Sequence, residues 1–247
     1  YAIGRLSVTL SVGFYWKKIS KINEVAESRS FIGKKLLRTS LPLLLVGASS
    51  MIASSADSIM LGWLRSSEEV GLYVVAAKIA LLTSFFLQIT NSAVSPKIAA
   101  LYSKSRIQEM QIMIQRVTLL LCFLAIIPLM IFFVYGDLLL SLWGAEFSNA
   151  YWILVIISVG QFFNLSTGAA GLTLILCGEE RVHGMISLIS VLLNLVLNYF
   201  LIIKFGVTGA ALATAITVAG ENVTKVILVK LKIGIFIIPF YKKSFKS

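Results

Sequence analysis

Charge is scarce in this chain. Asp, Glu, Lys and Arg together make up 13% of its 247 residues, where a soluble globular domain carries about a quarter. Too few polar side chains are present to cover a water-exposed surface, which excludes an ordinary soluble domain. Histidine is scarcer still. His183 stands alone in a short turn beside Glu179, Glu180 and Arg181, with no second His or Cys spaced to complete a metal site, so it reads as a solvated turn residue. Cys122 and Cys177 both fall inside apolar runs, where they pack as small hydrophobes and give no disulfide framework. Phosphate loops and nucleotide fingerprints are missing as well. No catalytic residue and no cofactor is therefore expected, and an ATP-driven step would need a soluble partner. The chain opens on Tyr1 without a secretory signal pattern, and the expectation is a fragment of a longer protein.

What the chain has in excess is apolar surface. Hydrophobic residues make up 58% and the mean hydropathy is +0.91, which reads as an integral membrane protein. The net charge of +11 would suggest nucleic acid in a soluble domain. Here the cations sit in short gaps between apolar runs, so topology explains them better and no nucleic-acid partner is expected. The linker from Lys17 to Arg38 carries seven Lys/Arg against Glu24 and Glu27. If that linker is cytoplasmic, the gaps holding Lys97, Lys104, Arg106, Arg116 and Arg181 and the tail from Lys230 fall on the same side, leaving Arg65 and Lys204 outside. The positive-inside rule then places the C-terminus in the cytoplasm.

The expected fold is all-α: a polytopic transmembrane bundle of six full spans plus a partial N-terminal span. Residues 1–16 would close a preceding helix, 17–38 form a basic cytoplasmic linker, 39–233 a six-helix membrane lobe and 234–247 a basic tail. The spans read as Leu41 to Leu64, a long stretch from Gly71 to about Tyr102 bent or ended near Pro96, Met113 to Tyr135 as the lipid-facing helix, Tyr151 to Cys177, Val182 to Ile203, and Val207 to Val229. Asp137 to Asn149 would be a short connection at the outer interface, anchored by Trp143, Tyr151 and Trp152.

Five of the six spans carry polar side chains at steps of three and four, which gathers them on one face. These are Gly47, Ser50, Ser54 and Asp57; Ser84, Gln88, Asn91 and Ser95; Gln161, Asn164, Gly168 and Gly171; Ser187, Ser190, Asn194 and Asn198; and Thr214, Thr217, Glu221 and Thr224. Two readings stand. Each stripe is a packing seam of small and amide residues, or together they line a shared polar cavity.

Ionisable groups inside a span face protein, water or an ion path, because lipid penalises them. Asp57 and Lys78 each lie roughly 10 Å from the outer end of neighbouring antiparallel helices, so the two are expected to approach, with Arg5 in the same half. They form a structural ion pair, or Lys78 and Arg5 attract an anionic head group while Asp57 tunes or releases it, or takes up a coupling cation. Glu221 and Lys225 are spaced to satisfy one another within a helix; otherwise Lys225 snorkels and leaves Glu221 as an ion-coupling group. Gln88, Asn91, Gln161, Asn164 and Asn194 complete the candidate substrate-binding set.

Gly71-Leu-Tyr73-x-x-Ala76-x-Lys78, Pro96 with Leu101-Tyr102, Trp143-Gly144-x-x-Phe147-x-x-Ala150 and Gly206-x-x-Gly209-Ala-Ala-Leu-Ala-Thr214 resemble the C-terminal lobe of polysaccharide flippases in the multidrug, oligosaccharidyl-lipid and polysaccharide exporter superfamily. The resemblance covers about residues 36 to 232. It implies a twelve-helix fold of two lobes around a cavity opened alternately to each side of the inner (plasma) membrane. The implied cargo is a polyprenyl-pyrophosphate-linked oligosaccharide, with membrane lipids and a polysaccharide polymerase or ligase as partners. A cation-coupled drug exporter, a membrane-embedded sugar polymerase or glycosyltransferase, and a non-transporting subunit are the alternatives.

Overall fold

The computed structural model describes residues 55–238 without interruption, together with 41, 44, 47, 51 and 52. They fall in one compact unit, Thr39–Ser247, and every regular element among them is helical. The Leu41 to Leu64 span is described continuously only over residues 55–64, here α1. Arg5, the 1–16 segment, the 17–38 linker and the tail beyond 238 lie outside the described residues.

Ser66 starts α2 (Ser67–Leu81) by a reciprocal cap: its hydroxyl accepts from the Glu69 N–H and the Glu69 carboxylate accepts from the Ser66 N–H, satisfying two amides that the first turn leaves free. Then come α3 (Ser84–Ser103), α4 (Ile107–Ser141), a 3-10 turn at Ala145–Ala150, α5 (Tyr151–Ser166), α6 (Ala170–Leu176), α7 (Glu180–Phe205) and α8 (Val207–Ile233). Among the described residues, five helical stretches are long and apolar enough to cross a membrane: Ser67–Ser103, Ile107–Ser141, Ala145–Ser166, Glu180–Phe205 and Val207–Ile233. The protein is a multi-pass membrane protein.

Three element boundaries differ from those read in the sequence. The break in the first long stretch falls at Leu82–Thr83 and not at Pro96, which α3 carries through its interior. Short i to i−3 bonds tighten the chain there, and the Thr83 and Ser84 hydroxyls take the carbonyls of Ala80 and Leu81. A local hydroxyl can replace the lost helical donor, which is how such residues interrupt helices. The Tyr151 to Cys177 span is also broken, because Gly168 adopts φ +62 and separates α5 from α6. A side chain at Gly168 would also run into Thr118 of α4. Lastly, α4 continues through Asp137 to Ser141, so only the end of the Asp137 to Asn149 segment is a connection.

The α4 face bearing Leu120, Phe123, Ile127, Met130 and Val134 is exposed, as a lipid-facing helix requires. Small residues let the other helices close up: Gly160 of α5 crosses α8 at Ala215, and Gly209 of α8 lies against the Leu201 carbonyl of α7. Buried apolar side chains form two clusters. One gathers Leu61, Ala76, Leu140, Leu154, Ile202 and Ala210; the other gathers Ile98, Met110, Ile114, Leu174, Val229 and Ile237.

Candidate functional site

Helix α1 delivers a single carboxylate, Asp57, to a place where four helices meet. It is 7% exposed. Asn198 of α7 donates its amide to Oδ1 at 2.6 Å, while Tyr73 of α2 and Thr214 of α8 donate hydroxyls to Oδ2 at 2.5 and 2.7 Å. The network extends along α7 and α8: the Asn198 amide also reaches Asn194 Oδ1 at 3.0 Å, Asn194 donates to Thr217, and Thr217 donates to the Ala213 carbonyl. The carboxylate is thus held by neutral donors, with no Lys or Arg in an ion pair with it among the described residues. Hydrogen bonds to the charged form lower the cost of burying it. Asn198 Oδ1 is buried and has no hydrogen-bond partner among the described residues. The carboxylate and the two hydroxyl oxygens bonded to it are of the hard-oxygen type that a small cation prefers, and a carboxylate can also take a proton.

Lys78 is not part of this cluster, which corrects the expected approach to Asp57. Tyr73 and Lys78 are five residues apart on α2, so their side chains diverge by about 140°. Tyr73 turns inward. Lys78 is exposed and faces a cavity of about 530 Å³ at the Leu82–Thr83 break, lined also by Phe85, Phe86, Gln88, Pro128 and Phe132. It has no ion-pair partner among the described residues.

The second charged cluster lies in the other half of the α7–α8 pair. Glu221 and Lys225 pair at 2.7 Å, as their spacing allows, so Lys225 does not leave Glu221 free. Ser187 donates to the same Glu221 oxygen at 2.9 Å. His183 lies beside them against Gly171 of α6, whose missing side chain leaves room for both the imidazole and the Lys225 stem. The solvated-turn reading of His183 is therefore corrected: it is 6% exposed and inside α7.

The polar stripes divide between the two readings. Those of α7 and α8 bond to one another, through Asn194 with Thr217, Ser190 with the Thr217 carbonyl and Ser187 with Glu221, which makes this pair a sealed seam. Gln161 and Asn164 of α5 bond to each other at 3.1 Å. Gln88 is exposed beside Lys78, and the nearby Asn91 is half-buried with an unpartnered Oδ1. Tyr73, Asn198 and Thr214, which bond to Asp57, are missing from the candidate set read in the sequence. Asn198 and Thr214 were visible as stripe members; Tyr73 was visible only as a member of the Gly71-Leu-Tyr73-x-x-Ala76-x-Lys78 motif, since an aromatic in an apolar helix otherwise reads as packing.

Four helices of this membrane bundle thus converge on one buried acid. Residues 42–200 match the MatE family, and the chain belongs to that family. It is 28% identical over 169 residues to the "Probable low-salt glycan biosynthesis flippase" of Haloferax volcanii, covering 68% of this chain and 36% of that protein. It is 26% identical to a capsular polysaccharide biosynthesis protein of Staphylococcus aureus, covering 74% and 47%. A solved MOP superfamily transporter from Pyrococcus furiosus shares the fold with a TM-score of 0.65 at 21% identity, over 85% of this chain and 47% of that one. The chain spans less than half the length of these relatives. Among the described residues no group of three or more His, Cys, Asp or Glu could hold a metal ion.

Proposed function

We propose that this chain is the six-helix C-terminal lobe of a flippase that moves a polyprenyl-pyrophosphate-linked oligosaccharide from the cytoplasmic to the outer leaflet by alternating access. Family membership together with relatives named for glycan and capsular polysaccharide biosynthesis supports this reading. In it, residues 39–233 form the lobe, 17–38 the cytoplasmic linker to the other lobe and 234–247 a tail on the cytoplasmic face of the inner membrane. A polysaccharide polymerase or ligase consumes the delivered product, and the protein transports without catalysing a covalent step.

The observation that carries the mechanism is the Asp57 carboxylate joined to α2, α7 and α8 by three neutral donors. Taking up a proton or a monovalent cation there changes which of those bonds can persist, so occupancy biases how the four helices pack. Lys78, exposed and unpaired in an apolar helix, supplies positive charge for the pyrophosphate, and Gln88 beside it offers an amide to sugar hydroxyls. Reconstitution of the complete protein in liposomes with a labelled lipid-linked sugar tests this. Flipping should fall at least about tenfold in Asp57→Ala and in Lys78→Ala, a loss worth about 1.4 kcal/mol of coupling or more. Full flipping in both variants would overturn the site. Export of an organic cation without sugar flipping by the unaltered protein would overturn the cargo.

A further inference from the structure

A second cavity, of about 510 Å³, opens between α4 and α8, away from Asp57 and Lys78. Its two apolar walls are Leu119, Phe123 and Ile126 of α4 and Val226 and Ile227 of α8; Ser166 and Thr167 at the end of α5 also line it, and Ile238 lies at one end. That end is formed by residues 234–238, which leave α8 at Gly234 (φ +82) and run back along α4. Two glutamines one turn apart hold this strap. The Phe236 N–H donates to Gln111 at 3.1 Å, and Gln115 donates to the carbonyls of Phe236 at 2.9 Å and Ile238 at 3.4 Å. Ile235 and Ile237 are each 1% exposed beneath it, so the cavity has a fixed floor.

Each wall carries a cation one turn beyond its apolar residues, at the strap end. Arg116 precedes Leu119 and Phe123 by three and seven positions on α4, and Lys230 follows Val226 and Ile227 by four and three on α8, so each shares its wall's face. Arg116 is exposed and meets no acid among the described residues. Lys230 is held with Nζ 4.8 Å from the Phe236 ring centroid, which places its ammonium on the strap itself. The exposed apolar face of α4 runs directly into the opening, so a hydrocarbon chain could enter from the bilayer without crossing water.

We propose that this crevice binds one acyl chain of an anionic phospholipid, whose phosphate is held by Arg116 and Lys230. An apolar slot whose two walls both end in a cation complements a hydrocarbon tail joined to an anionic head; a zwitterionic lipid would gain less from the same pair of charges. The site sits where the charge asymmetry puts the inner leaflet. It does not depend on what the protein transports.

The test uses the complete protein in nanodiscs holding a trace of phosphatidylglycerol with a photoactivatable acyl chain, against phosphatidylcholine with the same chain, and maps the adducts by mass spectrometry. Phosphatidylglycerol should label segments 119–126 and 223–227 about thirtyfold more than phosphatidylcholine, the factor expected of two surface cation contacts. Arg116→Gln should cut that preference to about fivefold, the share left to Lys230. Val226→Trp should suppress labelling in the crevice by both while leaving labelling of 133–138 unchanged, which shows that the helix still faces lipid. Competition of unlabelled phosphatidylglycerol against the probe in the unaltered protein gives the same answer without a variant. Equal labelling by the two lipids, crevice labelling indifferent to Val226→Trp, displacement by polyprenyl phosphate but not by phosphatidylglycerol, or crosslinks showing a second copy over this face would each overturn the proposal.

Discussion

Buried Asp57 of α1 and half-buried Glu221 of α8, both bonded to α7, are treated in opposite ways. Glu221 is neutralised by Lys225 on its own helix, 2.7 Å away, with side chains 20% and 12% exposed. Among the described residues, Asp57 meets an amide and two hydroxyls, from three other helices, and no cation. A charge paired within one helix is settled wherever that helix goes. A charge held by neutral donors from several helices leaves its net charge to be balanced from outside, and it ties that balance to the arrangement of the helices. On this contrast the coupling role proposed above falls to Asp57, and Glu221 is proposed as part of the scaffold.

Removing the acids breaks the comparison most severely. Asp57→Ala leaves buried Tyr73 and Asn198 and half-buried Thr214 without that acceptor, at about 1 to 3 kcal/mol per group, so a loss of roughly 4 kcal/mol is expected in thermal unfolding in detergent. Glu221→Gln strands Lys225 and should cost about 3 kcal/mol. Adding Lys225→Met should restore most of that, because the paired charge is gone; no such second-site rescue exists for Asp57 among its neutral partners.

Smaller changes sharpen the contrast. Arg65, in the turn after α1, donates to the Ile202 carbonyl at 2.7 Å and so fastens α1 to the end of α7; Arg65→Ala should cost about 1 kcal/mol by the same unfolding measurement. Tyr73→Phe removes one donor to Asp57 and should also cost about 1 kcal/mol, while shifting the cation or proton concentration needed for half-maximal flipping. Lys78→Gln, at an exposed position without a partner, should change stability by less than about 0.5 kcal/mol and still weaken flipping of an anionic lipid. If Lys78→Gln destabilises as much as Glu221→Gln does, Lys78 belongs to the scaffold as well.

Much of this arrangement could be read from residue order. Hydropathy placed the long helices and their membrane character. The four-residue spacing of Glu221 and Lys225 gave their pairing, and the stripes of α7 and α8 gave the faces that meet. Two kinds of feature stayed hidden. Breaks at Leu82–Thr83 and Gly168 come from hydroxyl capping and one positive φ, which hydropathy does not register, whereas Pro96 offers a strong local signal that α3 absorbs. Which helices converge on Asp57 depends on packing across the bundle. Depth along the helix suggested Lys78 as its neighbour, but rotation about α2 chose Tyr73 instead.

Gradient-driven flipping of a labelled lipid-linked sugar by the complete protein, compared between Asp57→Asn and the double variant Glu221→Gln with Lys225→Met, tests the division of roles most directly. Asp57→Asn should abolish the dependence on the proton or cation gradient while the double variant keeps it within about twofold, a difference under 0.5 kcal/mol. Retained gradient dependence in Asp57→Asn, together with its loss in the double variant, would contradict the account.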